Sequence, residues 1–279
     1  MKIKLTLEYD GTGFFGWQKQ DNFRSVQGTV EQAIEKVFGE RQQVELFGAG
    51  RTDTGVHATG QVAHFSIVDE ALAKQWTRDI AKLPFAINFY LLDAGVVVLG
   101  AEVVPDDFHA RFSATMRHYR YVIFNRHTKS VIHEKRAWHV AKPLDVAAMN
   151  DAAQSLLGTH NLNAFRSAHC NAQNPVRTIS GIKVYKTGDF IVMDISARSF
   201  LHNQVRITIG TLKQIGEGKF PVHYILELLE KQDRRAAGIT APPHGLYLTE
   251  VEYQSLDTDY AKMIKVKPKK DTVNVDCNL

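Results

Sequence analysis

Hydrophobic residues along this chain switch between two periods, and the switches mark its elements. Residues 2–10, "KIKLTLEYD", alternate polar and apolar, so Ile3, Leu5 and Leu7 fall on one face of a strand. In "SVQGTVEQAIEKVFGE", Val26, Val30, Ala33, Ile34 and Val37 recur at helical spacing. Ser25 stands where an N-cap belongs, and Gly39 where the helix would stop. Strands are predicted at about 42–48 and 60–68, and a helix over "DEALAKQWTRDIAKL". The β-branched run "AGVVVLGAEVVP" predicts a further strand reaching Pro105.

After Pro105 the rhythm begins again. "RHYRYVIFN" reads as a strand and "LDVAAMNDAAQSLLG" as a helix. "GIKVYKTGDFIVMDISAR" reads as two strands turning at Gly188-Asp189. "HNQVRITIGTLKQIG" and "PVHYILELLEKQ" are helical in pattern, and "GLYLTEVEY" is a closing strand. Strands of antiparallel type with helices segregated from them predict an α+β fold. Three units are expected: an N-terminal half over 1–104, a C-terminal half over 105–253, and a loosely held lysine-rich tail over 254–279. No residue-level repeat joins the halves.

Composition narrows this little. At 44% hydrophobic and 23% charged residues the chain can bury a real core. Its two cysteines, Cys170 and Cys277, have no metal-type spacing, which suggests a reduced, cytoplasmic setting. The first residues lack the apolar run of a secretion signal, and no stretch approaches the length of a membrane span. The formal charge of +4 is weak evidence for an acidic partner. Placement says more: Arg51, Arg111, Arg117, Arg120, Arg126, Arg166, Arg177, Arg198 and Arg206 sit beside aromatic or polar residues near predicted strand and loop ends. Their planar, forked guanidinium groups suit phosphate and base recognition.

Two glycine motifs fail on their surroundings. "GTGFFG" (11–16) fits the dinucleotide fingerprint, but the bulky "FFGWQKQDNFR" follows where a helix must open. "GRTDTG" (50–55) has P-loop glycines, yet Val56 and His57 stand where Lys and Ser or Thr are needed. Neither predicts a nucleotide cofactor. The twelve histidines form no H-x-x-x-H pair and no ligand spacing with carboxylates, so no metal site is expected.

Asp53, in "GAGRTDTGVHATGQVAHF" (48–65), is open to two readings. It could cap the glycine turn through backbone amides. Alternatively, Arg51 and Asp53 could face one cleft, since residues two apart in extended chain point the same way. A nearby cation favours an ionised carboxylate, which suits a nucleophile.

This segment closely resembles the catalytic stretch of the tRNA pseudouridine synthase A family, in which the Asp of G-R-T-D-x-G-V-H-A is the essential carboxylate. "YDGTGFFGWQ" (9–18), "RSVQG" (24–28), "VPDDFHARFSATMRHYRYVI" (104–123), "RSFLHNQVR" (198–206) and "APPHGLYL" (241–248) resemble further family blocks in the same order. The resemblance runs from about residue 3 to 253. It implies that Asp53 is the catalytic aspartate, that Tyr119 packs on the target base and helps remove the C5 proton, and that Arg206 pairs with the aspartate. Leu246 corresponds to an apolar wall of the pocket, and Arg24 and Arg51 to basic residues lining the RNA cleft. Two positions depart from the family pattern: Gln204 stands for Met and Ile207 for Asn, on either side of Arg206. The "KLPFAINFYLL" region lacks the usual asparagine-rich run.

The resemblance further implies the pseudouridine synthase fold: two similar halves, a mostly antiparallel sheet, helices on the outer face and a central basic cleft. The implied activity is isomerisation of uridine to pseudouridine at positions 38, 39 and 40 of the tRNA anticodon stem-loop, by a homodimer and without a cofactor. That chemistry breaks N1–C1′ and forms C5–C1′, either through a covalent adduct or through a glycal. An RNA-binding module without catalysis and a carboxylate-dependent nucleosidase are the rival readings. The first leaves Asp53, Tyr119 and Arg206 without a purpose, and the second usually needs two carboxylates and an activated water.

Overall fold

The computed structural model describes residues 1–39, 44–168, 170 and 172–254. All of the expected lysine-rich tail after Gln254, with Cys277, lies outside the described residues.

β1 (Lys2–Tyr9) forms where the alternation predicts it and buries Ile3, Leu5, Leu7 and Tyr9. α1 (Val26–Phe38) starts at Ser25, whose hydroxyl accepts the Gly28 N–H, and stops at Gly39. β2 is only Phe47–Gly48, much shorter than the predicted strand, of which 42 and 43 are not described. β3 (His57–Ser66) begins well before residue 60 and ends short of 68. The stretch "HATG" has no strand pattern of its own. It is extended because Ala58 pairs with Tyr9 on one side and Leu248 on the other, so tertiary pairing overrides local preference.

The single helix predicted over 69–83 is instead broken. α2 (Glu70–Asp79) passes through a 3-10 turn at Ile80–Lys82 into α3 (Leu83–Phe89). Pro84 is the reason, because proline lacks an N–H and fits only the first turn of a new helix. β4 (Val96–Val104), β5 (Ala114–Phe124), β8 (Val176–Thr187) and β9 (Phe190–Ala197) follow the pattern, with β8 and β9 turning at Gly188-Asp189. So do α4 (Val146–Gln154), α5 (Gln204–Gly216), α6 (Tyr224–Lys231) and β10 (Leu246–Tyr253). β6 (Trp138–His139) and β7 (Gly158–Asn161) are too short for periodicity to reveal.

The strands form one ten-stranded sheet in the order β4-β1-β3-β10-β5-β9-β8-β7, with β2 added to β3 and β6 to β5. Only β3–β10 and β5–β6 are parallel, so the fold is α+β with a mostly antiparallel sheet. α3 packs on β4, α4 on β8 and α5, and α5 on β5. The strands that precede Pro105 meet those that follow it where β3 runs beside β10, through Tyr247 opposite His57 and Leu248 opposite Ala58. Here a Cβ on Gly60 would lie 2.1 Å from the Thr249 carbonyl oxygen. Only glycine lets these two backbones approach so closely.

Candidate active site

The stretch 49–53 leaves β2 and returns through a tight turn to β3, and the surrounding sheet fixes it almost residue by residue. Ala49 donates its N–H to Val62, and its carbonyl accepts from the Arg117 guanidinium at 2.8 Å. The Gly50 carbonyl accepts from Gln61 Nε2 at 2.9 Å. The Thr52 hydroxyl bonds the Tyr9 phenol at 2.8 Å, and the Thr52 carbonyl accepts from the Trp17 N–H. The Val56 N–H then closes the turn on the Asp53 carbonyl, with Gly55 at φ 78°. Asp53 is therefore presented by a pinned backbone, its side chain about one-third exposed (32%).

What Asp53 meets comes from the start of α5. Arg206 Nη1 lies 3.1 Å from Asp53 Oδ2, while His202 Nε2 is 3.4 Å from Oδ1. The Arg206 guanidinium is itself held: Nη1 also donates to Asn203 Oδ1 at 2.7 Å, and Nε donates to the Ala241 carbonyl at 2.7 Å. The turn before α5 is built for this. Asn203 takes a left-handed φ of 62°, and Gln204 folds its side-chain oxygen back onto the Leu201 N–H at 2.8 Å. So Gln204, one of the two departures, braces the turn, and the other, Ile207, is fully buried in the core.

One face of β5 serves both sides of the site. Arg117, Tyr119 and Tyr121, each two residues apart, point the same way. Arg117 holds Ala49, Tyr119 lines the cavity, and the Tyr121 hydroxyl donates to the Pro242 carbonyl at 2.7 Å beside the segment that anchors Arg206. Burial pushes the Tyr119 phenol up to about 12, with Arg117 opposing and Asp53 adding to the shift. At neutral pH the ring is therefore a phenol rather than a phenolate. Its edge meets Phe200 at 5.1 Å between ring centres.

Asp53, Arg51, Tyr119, Arg206 and Leu246 all line one cavity of about 1290 Å³. That exceeds the roughly 300–1,000 Å³ that suffices for a drug-sized ligand. The expected pairing of Arg206 with Asp53 is present, and Arg51, exposed, faces the same cavity as the spacing predicts. Arg24 is not among the lining residues. Its guanidinium donates to the Ala94 carbonyl at 2.6 Å and stacks 4.6 Å over the Phe14 ring. The sequence reading missed the roles of Tyr9, Gln61, Arg117, Asn203 and His202. Arg117 alone carried a legible signal, two residues before Tyr119 on a strand. The rejected "GTGFFG" opens no helix; it forms a 3-10 turn at Gly11–Gly13, and the chain beyond it supports Thr52. Among the described residues no group of three or more His, Cys, Asp or Glu is placed to hold a metal ion, and no helix is long and apolar enough to cross a membrane.

Fold and cavity together define an α+β protein with a carboxylate–guanidinium centre open to a nucleotide-sized space. The family model described as tRNA pseudouridine synthase matches residues 6–113 and 152–254. The tRNA pseudouridine synthase A of Allorhizobium ampelinum is 50% identical over 254 residues, which cover 90% of this chain and 95% of that protein. That of Wolbachia pipientis subsp. Culex pipiens is 49% identical across 91% of this chain and all of its own, and that of Brucella ovis 48% across 90% and 98%. The chain belongs to the tRNA pseudouridine synthase family.

Proposed function

We propose that this protein isomerises uridine to pseudouridine at positions 38, 39 and 40 of the tRNA anticodon stem-loop, with Asp53 as the catalytic residue. The observation that carries the reading is the Asp53–Arg206 pair in a cavity walled by Tyr119 and Leu246. Arg206 occupies Oδ2 and leaves Oδ1 toward the sugar carbon, with His202 beside it. The N1–C1′ bond breaks, the uracil turns, and C5–C1′ forms. C5 gives up one proton and N1 gains one, so atoms and electrons balance without a cofactor. Tyr119 packs on the uracil, and its hydroxyl enters as a neutral hydrogen-bonding group, because a standing phenolate would need a pH near 12. Extruding the base costs a few kcal/mol, of which stacking on Tyr119 offsets roughly 1–3 kcal/mol.

Arg51 supplies charge for the RNA backbone inside the cavity, and Arg24 supplies it from outside. The reading includes a homodimer working in the cytoplasm. Phe85 and Phe89, one turn apart on α3 and exposed together with Leu92, give such a partner an apolar patch to cover. It also treats 1–104 and 105–253 as two halves sharing the central sheet. Incubation with unmodified tRNA tests the activity: uridine converted in place supports it, whereas released uracil or binding without change overturns it. Light scattering on the pure protein tests the dimer.

A further inference from the structure

The cavity carries a second chemistry away from Asp53. Phe47, His109, Arg111 and Phe112 line it too, and none of them takes part in holding the carboxylate. Their rings form a staircase. Phe47 stacks on His64 at 5.2 Å and 22° and meets His109 at 5.6 Å, and His109 meets Phe112 at 4.4 Å. The Arg111 guanidinium lies 5.7 Å from the centre of the Phe112 ring.

Phe112 is 71% exposed, on a turn whose neighbouring backbone groups are largely engaged. The Ala110 N–H donates to His64 Nδ1, and the Ala110 carbonyl accepts from the Tyr253 hydroxyl. The Arg111 N–H donates to His109 Nδ1, and the Arg111 carbonyl accepts from Arg117. His109 and Ser113 close the turn on each other. The fold thus spends many hydrogen bonds to hold an apolar ring in water beside a guanidinium. A flat, aromatic, negatively charged ligand would explain both the ring and the charge. The cavity walls agree, since Arg51, Arg111, Arg117 and Arg206 outnumber Asp53 and Glu45.

We infer that the Phe47–His109–Phe112 staircase with Arg111 binds an unpaired nucleotide of the substrate RNA next to the extruded uridine, its base stacked on Phe112 and its phosphate on Arg111. Phe47 and Asp53 are joined by a short stretch that can reach no more than about 20 Å even fully extended, so the two bases belong to one local stretch of strand. This rests on the proposed activity toward tRNA but assigns a separate site.

The test uses the full chain and an anticodon stem-loop carrying 2-aminopurine at the unpaired loop position next to the modified site. Binding to the wild-type protein should quench the fluorophore. Phe112→Ala should abolish the quench and raise KM by about 5- to 150-fold with kcat kept, the worth of one stacked base. Phe112→Tyr should restore both. Because Phe112 is largely exposed, its truncation leaves the core intact. An unchanged quench, or a KM within twofold of wild type in Phe112→Ala, overturns the inference while conversion of uridine continues. Failure of the wild-type protein to convert tRNA at all would instead overturn the activity.

Discussion

Arg206 reaches across 153 positions of sequence to place Nη1 3.1 Å from Asp53 Oδ2. The pairing joins the start of α5 to the loop between β2 and β3, so the centre exists only once segments from both sides of Pro105 have come together. Arg206 is committed to three acceptors at once: Asp53, Asn203 and the Ala241 carbonyl.

Asp53→Asn keeps the shape and removes the charge. Conversion of uridine should fall to background while tRNA binding, measured by filter retention, stays close to wild type. Persistent conversion would remove Asp53 from the chemistry.

Lysine cannot reproduce a guanidinium fork at Arg206. Arg206→Lys should therefore lower turnover about 10- to 100-fold through a misplaced Asp53. It should also cost about 1–3 kcal/mol of stability, because the Ala241 carbonyl loses its donor. Single-turnover kinetics and urea denaturation on the same variant separate the two effects.

His64 makes folding sensitive to acid. Burial, with the His109 and Lys2 charges adding to it, lowers its imidazole to about 4. An unfolded histidine titrates near 6.5, so between about 6.5 and 4 the unfolded chain binds a proton that the folded chain refuses. Stability should thus fall as the pH drops through that window, by about 3 kcal/mol for this group, and be insensitive to it above pH 7. His57 and His244, also lowered chiefly by burial, act in the same direction. Urea midpoints measured from pH 7.5 to 4.5 should show the slope, and His64→Gln should make it shallower without flattening it.

Gly60→Ala tests the central junction. A Cβ 2.1 Å from the Thr249 carbonyl forces β3 and β10 apart. The expected loss is about 1–3 kcal/mol or more, read as a melting temperature several degrees lower. A melting curve that matches wild type would mean that the two strands separate without cost.

The long periodic elements were legible because burial of one face writes its period into the sequence, as in β1 and α1. The early start of β3 was not, since "HATG" is extended only by what lies on either side of it. The helical run over 69–83 hid its break because Pro84, the proline that causes it, stands just beyond the run. At the site, motif order pointed to Asp53, Tyr119, Arg206 and Leu246, which line one cavity. The motifs also paired Arg206 with Asp53, but position along the chain could not show that Asn203 and Ala241 hold the guanidinium, nor that Arg24 turns away to Ala94. Those are facts about how distant segments cross.

β10 is the last strand of the described residues, yet it lies in the middle of the sheet, between β3 and β5. During synthesis, everything before Leu246 can leave the ribosome while the sheet still lacks its central member. A nascent or prematurely terminated chain would carry two unpaired strand edges, each a template for joining another molecule. Translation must pass Tyr253 before the protein is safe from its neighbours, and the same event brings the Leu246 wall up to Asp53.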